Sequence, residues 1–186
     1  MPHVIEFAAS GRARCRGCKG TIERDTLRFG ERLPNPFADG EMTLWFHVLC
    51  AAYRRPESIH AVLQDYTDLL NGEIEALQAV IANGIEHPRL GRIAGIERAG
   101  SGRAKCRACR ALIARDTWRI GLEFFEEGTF NPAGYIHLPC ARSYFETNSE
   151  TNSETKFEST DIASRLQHFN PGLSAADLAD IAGAIG

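Results

Sequence analysis

Six cysteines and two histidines carry the chemistry legible in this 186-residue sequence. Cys15 and Cys18 form a C-x2-C pair, and His47 and Cys50 follow as H-x2-C. Cys106 and Cys109 form a second pair, completed in the same way by His137 and Cys140. The two sets use every cysteine in the chain. A C-x2-C pair on a tight turn brings two thiolates onto one ion. H-x2-C adds an imidazole and a third thiolate. A Cys3His donor set suits tetrahedral zinc in a closed structural site, so the expectation is two Zn2+ ions per chain. A disulfide framework fails because each set has an odd thiol. A redox C-x-x-C would give the recurring histidine no task. A module this small has a thin core. Zinc binding, roughly 10–16 kcal/mol in apparent terms, would then become folding energy. His3, His60, His87 and His168 do not recur between the sets and read as surface or packing residues. A closed site leaves no position for a reactive water. The sequence also has no nucleophile elbow, P-loop or dinucleotide fingerprint. The protein is therefore expected not to be an enzyme.

The elements that must hold these ligands are written twice. "SGRARCRGC" spans Ser10 to Cys18, and "SGRAKCRAC" spans Ser101 to Cys109. The likeness extends from Ile5 and Ile96 at an offset of 91 and reaches "HVLC" and "HLPC" at an offset of 90. Such a repeat marks a repeated structural unit. Each copy closes with an amphipathic helix. Ile74, Leu77 and Ile81 share one helical face, and Leu178, Ile181 and Ile185 share another. The second of these helices has Ser174 as N-cap, Asp177 three residues on and Leu173 placed to staple onto Leu178. The second copy is longer, and "ETNSETNSETK", residues 146–156, reads as a disordered insertion. "GIEHPRLGR", Gly84 to Arg92, is the joint. The expected division is 1–86, a linker over 87–95, and 96–186.

Charge follows the repeat. The chain carries net −3. Residues 1–33 nevertheless hold seven basic and four acidic residues, and residues 92–120 hold eight and two. A basic face can therefore lie within an acidic protein. No stretch of about 18 apolar residues suggests a membrane span, and the N-terminus lacks the pattern of a secretory signal. The expected location is intracellular: cytoplasm or nucleoid in a bacterium, nucleus in a eukaryote.

The pattern S-G-R-A-x-C-x-x-C, then D-T-x-R, then H-x-x-C resembles the PARP-type zinc finger. That finger occurs in tandem in poly(ADP-ribose) polymerases and singly in a vertebrate DNA ligase. The resemblance covers about Ile5 to Tyr53 and about Ile96 to Tyr144. It implies a fold class of small α+β zinc-stabilised modules, here two in tandem. Each would be a small antiparallel sheet closed by a C-terminal helix. It also implies recognition of nicked, gapped or broken double-stranded DNA by structure rather than by sequence. Phosphate contacts fall on Arg12, Arg14 and Arg28, and on Arg103, Lys105 and Arg119. Base stacking at the break falls on apolar residues of the loop before the histidine. In "FADGEM" these are Phe37 and Met42, and in "FEEGTF" they are Phe125 and Phe130. Tyr135 and Ile136 stand where the first copy has Trp45 and Phe46. The implied protein acts as a monomer on DNA, beside a repair-protein partner. The alternative is a zinc-stabilised protein-interaction module without a DNA role. A titration against nicked and intact duplexes separates the two.

Overall fold

The structure, a computed structural model, describes residues 2–69, 74–146 and 157–185. The disordered insertion expected over 146–156 falls, apart from Glu146, outside the described residues. The chain divides into two compact units, Met1–Ile85 with Glu126–Thr129, and Glu86–Phe125 with Phe130–Gly186.

In the first unit, strands β1 (Val4–Phe7), β2 (Leu27–Pro34) and β3 (Glu41–His47) form an antiparallel sheet in the order β1-β2-β3. Ile5 and Phe29 lie opposite each other, as do Phe29 and Phe46, and all three are fully buried. Alternation along each strand therefore turns one face toward a core. Helix α1 (Val48–Arg54) starts directly after His47, so the H-x2-C element straddles a strand end and a first helical turn. Helix α2 (Pro56–Leu63) takes Pro56 in its first turn, where the missing N–H costs nothing. It buries Ile59, Val62 and Leu63. Helix α3 (Ile74–Glu86) buries Leu77, Ile81 and Gly84.

The second unit repeats the plan. Strands β4 (Ile93–Arg98), β5 (Trp118–Glu126) and β6 (Thr129–His137) form a three-stranded sheet in that order. Helices α4 (Ala141–Phe145), α5 (Ser159–Phe169) and α6 (Ala175–Ala184) follow. The Ser174 hydroxyl accepts from the Asp177 N–H at 3.1 Å, completing the expected N-cap. Both units are thus zinc-finger-sized α+β modules, as the resemblance implied. Each has more helix than one closing helix, because α2 and α5 also pack their apolar faces. Residues 87–95, read as a linker, form a 3-10 helix over Pro88–Arg92 that runs straight into β4, with Leu90 and Ile93 buried.

The turns before the histidines differ. In the first unit, residues 35–40 form a loop closed by a bond from the Asn35 N–H to the Gly40 carbonyl at 3.0 Å. In the second, "FEEGTF" is not a loop. Phe125 and Glu126 close β5, Thr129 and Phe130 open β6, and only Glu127 and Gly128 turn between the strands, with φ of 48° and 77°. Two consecutive positive φ values make the tight hairpin turn whose twist matches the strands it joins.

Candidate metal centres and nucleic-acid interface

Each C-x2-C pair sits on a backbone knuckle. The Lys19 N–H donates to the Cys15 carbonyl at 2.9 Å, and the Cys15 N–H donates to the Gly20 carbonyl at 2.8 Å. Lys19 takes the left-handed φ of 64° that this reversal demands. In the second unit Arg110 does so at 67°, and its N–H reaches the Cys106 carbonyl at 3.0 Å. The sheet delivers the histidine, and the first helical turn after it delivers the last cysteine.

The ligand atoms of Cys15, Cys18, His47 and Cys50 lie within 4.8 Å of one another, as do those of Cys106, Cys109, His137 and Cys140. His47 Nδ1 lies 3.4 Å from Cys18 Sγ and 3.8 Å from Cys50 Sγ. His137 Nδ1 lies 3.4 Å from Cys109 Sγ and 3.9 Å from Cys140 Sγ. A tetrahedron with metal–sulfur bonds of about 2.3 Å and metal–nitrogen bonds of about 2.0 Å has S···N edges near 3.5 Å, so the donor sets fit zinc. In both sites Nε2 faces a backbone carbonyl at 3.1 Å, that of Thr21 for His47 and of Leu112 for His137. A carbonyl only accepts, so Nε2 carries the proton and Nδ1 is left as the metal ligand.

The thiols divide their protons unevenly. A hydrogen bond from Cys50, aided by backbone N–H groups, holds Cys15 down at about 4. That same bond pushes Cys50 up, with burial adding to it. Burial raises Cys18. In the second site, burial opposes ionisation of Cys106, but N–H donors from Cys109, His137 and Ala108 outweigh it and bring the thiol to about 6. Cys140 is pushed up to about 12, by burial first and then by its hydrogen bond to Cys109. Three thiolates cannot share so small a space without a cation, and a divalent metal would displace the retained protons.

The arginines fall into two kinds. Arg28 stands on β2 opposite Glu6 of β1 and His47 of β3. Its Nη2 donates to Glu6 at 2.6 Å, and its guanidinium lies 3.5 Å above the Trp45 ring. Gly30 makes that stack possible, since a Cβ there would come within 2.7 Å of the Trp45 ring. Arg119 repeats the arrangement: its Nε donates to Glu97 at 3.0 Å, and it stacks 3.6 Å above Tyr135, with Gly121 at the place of Gly30. Tyr135 thus does for Arg119 what Trp45 does for Arg28, and Ile136, like Phe46, is fully buried. Sequence reading placed these two arginines at phosphates and missed their carboxylates. The recurring I-E element, Glu6 and Glu97, was the available signal.

Arg12, Arg14, Arg103 and Lys105 are the other kind. All four are exposed, and none is paired with a carboxylate among the described residues. Arg14, Arg16 and Lys19 line a cleft of about 390 Å³ with Trp45. Phe37 is 84% exposed at the tip of its loop, its N–H held by the Asn35 side chain at 3.0 Å. Met42 lies within β3, partly buried. Phe125 and Phe130 stack on each other at 4.9 Å across their hairpin, with Phe130 buried. Of the four apolar residues expected to stack on bases, Phe37 therefore stands exposed at a loop tip, and the second unit's pair is gathered into its strands.

Two three-stranded sheets, each clamped to its helices by a Cys3His cluster, define a tandem of zinc-finger modules. Residues 6–83 match the family described as the poly(ADP-ribose) polymerase and DNA-ligase Zn-finger region. This part of the chain is thus similar to the PARP-type zinc finger, and the second module repeats its ligands and stacked arginine. The chain is 33% identical over 135 residues to a Drosophila melanogaster poly [ADP-ribose] polymerase, covering 64% of this chain and 13% of that one. It is 30% identical over 130 residues to the Danio rerio poly [ADP-ribose] polymerase 1, covering 63% and 13%. A 50-residue stretch is 46% identical to the Caenorhabditis elegans poly [ADP-ribose] polymerase 1, covering 27% and 5%. The matches with the fly and fish polymerases span only 13% of their length. No helix among the described residues is long and apolar enough to cross a membrane.

Proposed function

We propose that the protein is a DNA-binding protein that recognises strand breaks by structure and carries out no catalysis of its own. What supports this most directly is the contrast between its arginines. Arg28 and Arg119 are locked by carboxylates, whereas Arg12, Arg14, Arg103 and Lys105 leave their charge unspent at the surface beside each zinc knuckle. Free cations at fixed positions supply the sequence-independent phosphate contacts that dominate nucleic-acid affinity. The exposed Phe37 tip supplies a stacking surface. Base faces are hidden in an intact duplex and open at a nick, where stacking is worth about 1–3 kcal/mol per base. The locked arginines, in this reading, hold the shape of the phosphate-facing surface and add to its potential.

The test separates the two contact classes on nicked duplex, with the protein binding as a monomer. Arg12→Ala and Arg103→Ala weaken binding to all DNA and each lower the salt slope by about one unit. Phe37→Ala leaves the salt slope alone and erodes the preference for broken over intact duplex. Identical behaviour of the arginine and phenylalanine variants would refute this division. Absence of DNA binding by the zinc-loaded protein would favour a protein-interaction module instead.

A further inference from the structure

The second unit has a cleft beside its zinc knuckle. It has a volume of about 540 Å³ and is lined by Arg89, Arg92, Arg107, Cys109, Cys140 and Tyr144, among others. Arg89 and Arg92 come from the 3-10 helix Pro88–Arg92 that precedes β4. Tyr144 holds the two in place. Its backbone carbonyl accepts from Arg89 Nη1 at 3.0 Å, and its hydroxyl accepts from Arg92 Nη1 at 3.2 Å. Arg107, on the zinc knuckle, donates its Nε to the Ala133 carbonyl at 2.8 Å.

None of the three guanidinium groups is paired with a carboxylate among the described residues, and no acidic side chain lines the cleft. The Nε of Arg92 is buried without a hydrogen-bond partner. Three fixed arginines in a concave site, one with a buried donor unused, form an uncompensated field. The negative charge of a Cys3His zinc set at the edge offsets part of that field but not all of it. Planar forks of N–H donors match phosphate oxygens, and a ligand of two negative charges gains most from them.

We propose that this cleft is a binding site for a phosphate monoester, such as the terminal phosphate of a broken strand. A monoester carries close to two negative charges near neutral pH, with a second pKa near 6. It also projects from its carrier, so it can enter a concave site that a phosphodiester within a strand cannot fill. The strand-end assignment rests on the DNA-break reading above, whereas the phosphate site itself does not.

The experiment has two arms on the full zinc-loaded chain. In the first, inorganic phosphate is titrated at constant ionic strength while the arginine Nε–H resonances are followed by NMR. Saturable shifts are expected for Arg89, Arg92 and Arg107 in the wild type, weakened at least tenfold in Arg89→Gln and in Arg92→Gln, and unchanged in the distant control Arg115→Gln. Zinc content and the amide spectrum establish that each variant is folded, and Tyr144→Phe provides a milder second perturbation. Absence of saturable shifts overturns the site. In the second arm, nicked duplexes bearing a 5′-phosphate or a 5′-hydroxyl at the nick are compared. The wild type is expected to prefer the phosphorylated nick about tenfold, and the Arg89 and Arg92 variants to lose that preference while still binding the hydroxyl nick. Equal, tight binding of both nicks by the wild type refutes strand ends as the source and leaves break binding intact. Saturable phosphate binding without any DNA binding refutes the break reading and assigns the site to a free phosphate ligand.

Discussion

Glu31 shows how the two modules solve one residue's problem differently. Its side chain is fully buried on β2, where Arg55 donates from Nη2 at 2.7 Å and the Ser58 hydroxyl donates at 2.6 Å. The equivalent residues of the second module are Leu122 and Phe145, both buried. Two buried apolar residues thus stand in the second module where the first has a carboxylate paired with an arginine. Breaking such a pair leaves an uncompensated charge and costs about 3–5 kcal/mol, whereas replacing both members with well-packed apolar groups is near neutral. Arg55→Met should therefore lower the denaturation midpoint sharply, and Glu31→Leu with Arg55→Phe should restore most of it. A double variant as unstable as the single one would show that the pair is needed for itself. The zinc ligands make a second prediction at this scale. Cys140, raised to about 12, holds its proton at every pH below that, and zinc must displace it. Affinity therefore falls as pH falls, by about tenfold per unit at most for each proton displaced. Competition with a chromophoric chelator at about pH 8 and pH 6 reads this directly, and equal affinities would contradict it.

The strands and turns show what the sequence could and could not disclose. The ligands were legible because spacing alone fixes a Cys3His set. The sheet was expected only through the resemblance to the PARP-type finger, and the last helix was legible through Ser174 and Asp177. Helices α2 and α5 were missed, although "IHAVLQ" in the first copy answers "IASRLQ" in the second. Their short apolar faces were masked by the different lengths of chain that precede them. The locking of Arg28 was missed because Glu6 is distant in sequence and only strand register places them opposite. "FEEGTF" was misread as a loop because its apolar content fits either state, and Glu127–Gly128 turns more tightly than residues 35–40 do. Gly30 was the unexploited sign of the stack. Gly30→Ala would force its new methyl against Trp45, Val4 and Thr43, at 2.7, 2.9 and 3.1 Å. Overpacking of this kind costs about 1–3 kcal/mol. Trp45 fluorescence should shift as its ring is displaced, and an unchanged spectrum and midpoint would show that the sheet yields without cost.

On the scale of the whole molecule, two small modules each depend on one metal. Full chelation should remove the near-ultraviolet signature of Trp45 and Trp118 together with much of the helical signal. Retention of both after chelation would mean that the cores suffice alone. Writing the module twice has a functional reason in the break-recognition account. A nick has a duplex stem on either side, and a second module on the same chain makes the second contact intramolecular. Avidity can then exceed that of either module by roughly 100- to 10,000-fold if both engage. An intact duplex resists bending and keeps its bases stacked, so it gains less from the second module. The most direct measurement is a titration of the zinc-loaded protein against two duplexes of one sequence, identical except for a single nick, at fixed ionic strength. Binding at least about tenfold tighter to the nicked duplex, equivalent to about 1.4 kcal/mol, is the predicted result, and equal affinity for the two duplexes would contradict the account.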